Sequence, residues 1–169
     1  MRTERIITLA LVVGVSGASL SSCGDEAEAL SKPEFVEQAD AICQAADDEI
    51  TPIFDAAFEG FEDLDWDDPA NEGLIFDKFA EAASQAGPIW HQSADDIRDL
   101  NEPEEDRELI GTLLDDLDEA VNELVETTAA AADGDEAAMR AIDEGTEDPL
   151  DDVNRRAREY GFTVCGEEG

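Results

Sequence analysis

The chain has 169 residues, of which 46 are acidic and 10 are basic, and its formal net charge is −36 at pH 7. A hydrophobic content of 42% is enough for the core of one domain. So large a negative charge repels phosphate groups, which excludes nucleic acid as a partner and excludes adhesion to anionic lipid through the domain's own surface.

Residues 1–22 are predicted to be a secretory signal peptide. Arg2 and Arg5 precede a short apolar run, IITLALVVGV, and small residues follow it. The run is too short for a transmembrane span, which needs about 20 residues. The segment ends in Leu20-Ser-Ser-Cys23, which resembles the lipobox of bacterial lipoproteins. This resemblance implies that Cys23 receives a diacylglycerol and becomes the first mature residue; the alternative is a secreted protein in which Cys23 is a free or paired thiol.

The three cysteines of the chain are Cys23, Cys43 and Cys165. If the first carries lipid, two remain in an oxidising compartment, and they are predicted to form a disulfide; two buried thiols are the alternative. The bridge would close a loop of about 120 residues, which the chain-entropy model values at about 4–5 kcal/mol. Residues 23–30 are then a lipidated acidic linker, and two or three acyl chains such as palmitate anchor the protein at the extracytoplasmic face of the cell membrane.

Two amphipathic helices are predicted in the first half of the domain. The first begins at the capping box Ser31-Lys-Pro-Glu34. The second follows an acidic loop and has Pro69 at its first position. In both helices, apolar residues recur at steps of three and four, which places them on one face. These faces are Phe35, Ala39, Ile42, Ala46, Ile50, Phe54 and Ala57 in the first helix, and Phe76, Phe79, Ala83, Ala86, Trp90, Ala94 and Ile97 in the second.

Two further helices are predicted in the second half. A break at residues 101–104 precedes the third helix, Asp135 is the expected N-cap of the fourth, and Gly161 is its expected stop. The apolar face of the third helix is Leu109, Leu113, Leu117, Val121, Leu124 and Thr128, widened by Ile110, Leu114 and Val125. That of the fourth helix is Met139, Ile142, Thr146, Leu150, Val153, Ala157 and Tyr160.

The pattern as a whole predicts an all-α fold, an antiparallel four-helix bundle over residues 31–166. No segment of the sequence alternates with the period of two that strands show. Residues 162–166 are expected to fold back so that the disulfide ties them to the first helix, and residues 167–169 form an acidic tail.

Three prolines fall inside apolar stripes that continue in phase beyond them: Pro52, Pro88 and Pro149. An interior proline costs about 3 kcal/mol and leaves the carbonyl four residues earlier without its helical partner. We interpret the three as kinks that bend the helices around the core, or as helix breaks. The functional alternative is a cavity whose walls include the freed carbonyls of Asp48, Ser84 and Gly145.

His91 is the only histidine of the chain, and with Trp90 beside it forms the candidate ligand site. A di-iron bundle has a glutamate three residues before its histidine, and Pro88 stands there instead. Met139 and Tyr160 are further candidates for haem ligation. A surface or core role is the favoured interpretation for all of these residues.

The acidic loop of the first half contains Asp63, Asp65 and Asp67, which resemble the opening of a calcium loop. Asp68 follows where such a loop has glycine, and Leu74 stands where it has the bidentate glutamate, so this is not an EF-hand. A solvated acidic loop is the favoured interpretation, with weak Ca²⁺ binding as the alternative. The sequence contains no Ser-His-Asp arrangement, glycine-rich phosphate loop or Cys/His cluster, and we expect neither a cofactor nor an enzymatic activity.

Three segments carry a resemblance to a known group of proteins. The segments LSKPEFVEQADAICQAADDEI near the mature start, LNEPEED in the middle and AREYGFTVCG at the end are similar to those of small secreted proteins and lipoproteins of actinobacteria. That group opens with Ala-Asp-x-Ile-Cys and closes with Tyr-Gly-x-x-x-Cys-Gly. The resemblance implies a helical domain whose two cysteines are paired, and it implies no activity.

We therefore expect a lipid-anchored, non-enzymatic interaction module whose protein partner is basic or apolar. The alternative is a lipoprotein that binds a small ligand or a cation, with Ca²⁺ or haem as candidates. The acidic surface is typical of proteins from saline environments, where salt screens self-repulsion, but it also suits a protein that collects cations or basic partners.

Overall fold

The computed structural model describes residues 28–61, 64, 69–143 and 149–166. All regular secondary structure in these residues is helical, which confirms the all-α prediction. No helix in this part of the chain is both long and apolar enough to cross a membrane. The helices are α1 (Lys32–Ala57), α2 (Pro69–Arg98), α3 (Arg107–Ala132), α4 (Glu136–Asp143) and α5 (Pro149–Tyr160).

The predicted fourth helix consists of two helices, since α4 ends at Asp143 and α5 begins at Pro149. At the first position of a helix the N–H that proline lacks would have no helical partner anyway, so proline is well tolerated there. Of the three prolines predicted to interrupt helices, only Pro52 and Pro88 lie inside one, in α1 and α2 respectively.

The predicted start and stop signals operate at the helix ends. The Glu34 carboxylate accepts hydrogen bonds from the Ser31 N–H at 3.0 Å and from its hydroxyl at 2.6 Å. The Asp135 carboxylate accepts two hydrogen bonds from first-turn N–H groups of α4, at 2.9 and 3.1 Å. Gly161 ends α5 with a φ of +125°, a conformation that side chains other than glycine rarely adopt.

The helices form an antiparallel bundle, as predicted. α2 packs between α1 and α3, and α3 also packs against α4 and α5. Side-chain contacts across α2 and α3 join His91 to Asp118 and Arg98 to Asp115, so residue numbers rise along one helix as they fall along the other.

The main core lies among α1, α2, α3, α5 and the segment after α5. Phe35 is fully buried, and its ring lies 6.4 Å from that of Tyr160 and 6.1 Å from that of Phe162, measured between centroids. A smaller core cluster lies between α1 and α2 and consists of Ala46, Ile50 and Ala86.

Leu109, which was predicted to lie on the buried face of its helix, is exposed. Leu109 is 50% exposed, whereas the neighbouring Ile110 is 4% exposed. Successive residues of a helix point about 100° apart, so in the first turn of α3 only one of the two faces the other helices.

Candidate functional site

The candidate site is a groove between α1 and α2, called the α1–α2 groove below. Its volume is about 420 Å³, within the range of about 300–1,000 Å³ that ligand pockets occupy. Residues between 41 and 49 of α1 line one side, and residues between 88 and 96 of α2 line the other. Because the helices are antiparallel, position 41 lies towards position 96, and position 49 lies towards position 88.

Small side chains create the space in this groove. Ala41 and Ala45 are exposed and lie one turn apart on α1, and the buried Ala46 lines the groove beside them. A side chain that ends at Cβ leaves open the volume that a longer one would fill. On α2, Pro88 and Ile89 form the apolar part of the opposite wall, and Gln92, Ser93 and Asp96 form its polar part.

One of the interior prolines lies at this cavity. Pro88 lines the groove, whereas Ser84, whose carbonyl the proline deprives of its helical partner, is not among the lining residues. The groove wall at this point is therefore the proline ring and not the freed carbonyl.

The polar side chains that α2 contributes to the groove are hydrogen-bonded within their own helix. The Ser93 hydroxyl donates to the carbonyl of Trp90 at 2.8 Å, and the Gln92 amide donates to the Asp96 carboxylate at 2.7 Å. Two carboxylates, Glu49 and Asp96, are among the lining residues, and the lining contains no lysine or arginine. The groove thus offers an apolar surface with negative charge at both ends.

Trp90 lies next to this groove but does not line it. Its ring centroid is 6.4 Å from that of Phe54, and that of Phe54 is 6.1 Å from that of Phe79. Trp90 therefore packs in an aromatic cluster beside the small core, and its role in binding a ligand stays a prediction.

His91 faces α3. Its Nδ1 lies 2.6 Å from Oδ1 of Asp118, and its Nε2 lies 3.2 Å from Oδ1 of Asn122. Both ring nitrogens thus have oxygen partners on α3, and a metal or haem iron would have to displace one of them.

Asp118 joins this histidine to an arginine of α2. Arg98 Nη2 donates to Asp118 at 2.6 Å and to Asp115 at 3.1 Å. Burial alone would raise the pKa of Asp118, but the hydrogen bonds from His91 and Arg98, together with their positive charge, hold it below its ordinary value of 3.8. The network fastens α2 to α3.

Tyr160, one of the candidates for haem ligation, lies in a different part of the molecule. Its hydroxyl donates to Asp106 at 2.9 Å, and Lys32 Nζ lies 3.8 Å from its ring centroid. Burial and the Asp106 carboxylate raise the pKa of Tyr160. Asp106, which immediately precedes α3, lies 12 positions before Asp118, the partner of His91. Twelve residues span about 18 Å along a helix. Met139 is half-buried on α4.

Asp40 of α1 holds residues 161–166, which are called the C-terminal tail below and do not include the acidic residues 167–169. The carboxylate accepts hydrogen bonds from the Thr163 N–H at 3.0 Å, its hydroxyl at 2.7 Å, the Val164 N–H at 3.0 Å and the Cys165 N–H at 3.2 Å. Burial alone would raise the pKa of Asp40, but these four donors hold it below its ordinary value of 3.8. Sequence reasoning missed this residue, although it precedes Cys43 by one helical turn and so shares its face.

The predicted disulfide is present. Cys43 and Cys165 are bonded, with their Cα atoms 5.2 Å apart and 122 positions apart in the chain. The disulfide and Asp40 together fasten the tail to α1, the helix at the other end of the chain.

Two of the predicted sites lie outside the described residues: the lipidation site Cys23, and the candidate calcium ligands Asp63, Asp65 and Asp67. Within the described ranges, no three or more His, Cys, Asp or Glu side chains are grouped so that they could hold a metal ion.

Comparison with known proteins gives no relative. No protein-family model matches the chain, and neither a curated protein nor a solved structure does.

Proposed function

We propose that the chain is a lipid-anchored module of the cell envelope, outside the cytoplasm, that binds another protein and catalyses no reaction. The Cys43–Cys165 disulfide carries this proposal, because disulfides persist in oxidising compartments and are rare in the cytosol. The signal peptide predicted at residues 1–22 supports the same location.

Binding rather than catalysis is supported by what the candidate chemical groups do. His91 joins α2 to α3, Tyr160 joins α5 to the start of α3, and Asp40 fastens the tail. Each of these groups already holds two elements of the bundle together, and the α1–α2 groove has room for a partner.

The position of the linker supports an orientation relative to the membrane. The Leu30 N–H donates to the carbonyl of Asn101 at 2.8 Å, so the linker reaches the bundle where α1 begins and α2 ends. With Cys23 lipidated, this end faces the bilayer. The groove begins at Ala41, about 14 Å along α1 from its first residue, and is therefore open to partners on the flank of the bundle.

The experiment is intact-mass spectrometry of the protein extracted from membranes of a lipoprotein-producing host. We expect a chain that begins at Cys23 and carries the added mass of a diacylglycerol, and we expect Cys23→Ser to move the protein from the membrane fraction to the soluble fraction. A mature chain without lipid mass would contradict the anchor.

The volume of the α1–α2 groove supports a second candidate, a carrier of small ligands. The cation and cofactor versions of this candidate rest on the sequence instead, with Asp63, Asp65 and Asp67 for Ca²⁺ or His91 for haem. Thermal unfolding measured against Ca²⁺ and haem tests it. A melting temperature that rises with micromolar Ca²⁺, but not with NaCl of equal ionic strength, supports a cation site; equal curves contradict it.

A further inference from the structure

The α1–α2 groove has the shape that accepts a third helix. Its walls are marked by Ala41, Ala45 and Glu49 on α1, spaced one turn apart, and by residues 88, 92 and 96 on α2. Each wall therefore extends for two helical turns, about 12 Å. A helix laid between two others inserts apolar residues at spacings of three, four and seven, which fits two turns.

The α1 wall permits close approach. Ala41 and Ala45 are exposed and end at Cβ, so the backbone of an incoming helix can approach α1 without displacing a long side chain. The Ser93 hydroxyl is already bonded to the carbonyl of Trp90, so an apolar side chain covering it leaves no unpaired donor.

Charge decides which kind of helix fits. Glu49 and Asp96 lie at opposite ends of the groove, and no basic residue lines it. Both carboxylates would be partly covered by an occupant, which is costly unless each meets a positive charge. A second copy of this chain would bring a further charge of −36 to the contact and is repelled.

We infer that the α1–α2 groove is a docking surface for a cationic amphipathic helix of a partner protein. Apolar residues of that helix enter the groove between Ala45 and Ile89. Lysine or arginine residues about two turns apart pair with Glu49 and Asp96. This inference rests on the proposed function and specifies the surface and chemistry of its partner.

The test uses a synthetic 18-residue helical peptide with leucine and alanine on one face and lysine on the other. The mature chain is titrated with the labelled peptide in 150 mM NaCl. We expect saturable binding with a gain in peptide helicity by circular dichroism. A version with glutamate in place of lysine, and one with a central proline, should each bind at least tenfold more weakly.

Matched variants of the protein separate groove binding from general attraction to an acidic surface. Ala45→Trp fills the groove and should weaken peptide binding at least tenfold, whereas Ala129→Trp, at an exposed alanine of α3, should leave it unchanged. The double variant Glu49→Gln with Asp96→Asn should weaken binding more than Glu123→Gln with Glu126→Gln, two exposed acids of α3.

Equal affinities for the two tryptophan variants, both folded by circular dichroism, would overturn the docking surface, since attraction to the acidic surface alone does not depend on the groove. Binding without a gain in helicity would also overturn it. Lipidation of Cys23 is measured independently by intact mass. A lipidated protein that fails the peptide test would therefore contradict the docking surface without contradicting the lipid anchor.

Discussion

Asp40 accepts four hydrogen bonds from three consecutive residues of the tail, and its position explains why the segments at the two ends of the domain belong together. The Ala-Asp-x-Ile-Cys segment supplies this carboxylate and Cys43, and the closing segment supplies the N–H groups and Cys165. The residues of these two segments thus have a structural role here.

Asp40→Asn should lower the free energy of unfolding by about 1.5–3 kcal/mol, the range for hydrogen bonds to a charged group. The amide offers one acceptor oxygen without charge, and its NH₂ group faces the N–H donors of the tail. Urea unfolding at pH 7 measures the effect. Asp55→Asn, at an exposed acid of the same helix, is the control and should change stability by less than about 0.5 kcal/mol.

The effect of Asp40→Asn on stability should depend on pH. The tail holds the pKa of Asp40 below 3.8 in the folded state, so its contribution to stability is complete above that pH and is lost as the pH falls through the folded-state pKa. The stability difference between wild type and Asp40→Asn should therefore narrow below about pH 4. A constant difference from pH 7 to pH 2 would show that Asp40 does not act through its charge.

A substitution at Gly166 tests how closely the tail packs on α5. A Cβ at this position would lie 2.8 Å from Cγ of Arg158 and 2.9 Å from the carbonyl oxygen of Asn154. Because a backbone oxygen cannot move aside, Gly166→Ala should destabilise the protein by about 1–3 kcal/mol.

Gly111→Ala is the matched control for this substitution. A Cβ there meets nothing within 4 Å, and the residue lies in the interior of α3, so alanine should stabilise by up to about 1 kcal/mol. Thermal unfolding compares the two variants. If both changed stability in the same direction, the close contact of the tail with α5 would be wrong.

At the scale of the helices, periodicity predicted which segments are helical and did not predict where one helix divides. A helix that ends and restarts in phase keeps the same apolar stripe, so the pattern from Met139 to Tyr160 looks continuous although α4 and α5 are separate. Leu109 was wrongly placed in the core because the predicted apolar face of the third helix is wide enough to include both Leu109 and Ile110, and only packing with the other helices decides which of them is buried.

The candidate site was less predictable than the helices. The hydrogen bonds that Asp40 accepts from residues more than 120 positions away leave no periodic signal in the sequence. The disulfide could be predicted because cysteines can be counted and paired. The groove could not be predicted, because it depends on how far apart α1 and α2 lie. The sequence shows only that Ala41 and Ala45 are small.

Pro88 gives a prediction that belongs to α2. It is exposed in the interior of the helix, where proline leaves the Ser84 carbonyl without its helical partner. Pro88→Ala should raise the free energy of unfolding by about 1–2 kcal/mol, because up to about 3 kcal/mol regained in the helix is partly offset by a more flexible unfolded chain.

Pro33→Ala is the control, since this proline lies in the first turn of α1, where it is tolerated. It should leave stability unchanged or lower it slightly. Urea unfolding of both variants measures these changes in the free energy of unfolding. A loss of stability in Pro88→Ala would mean that the proline ring on the groove wall contributes more through packing than it costs the helix.

At the scale of the whole molecule, several of the basic residues pair with acidic ones. Arg98 and Arg156 join helices through Asp118 and Asp116, and Arg107 pairs with Glu102. The remaining carboxylates far outnumber the bases, which gives the net charge of −36. Their mutual repulsion opposes the compact state.

Salt should therefore stabilise the protein. The screening length falls from about 30 Å at 0.01 M to about 3 Å at 1 M ionic strength, so repulsion between carboxylates weakens far more than the short, partly buried Arg98–Asp118 pair. The melting temperature should rise steadily with NaCl, by about 2–4 °C for each kcal/mol of repulsion removed. Choline chloride should raise it equally if screening is the cause, whereas a larger rise with NaCl would indicate that sodium binds at specific carboxylates. A melting temperature that stays flat or falls with both salts would show that the surplus charge does not limit the stability of this bundle.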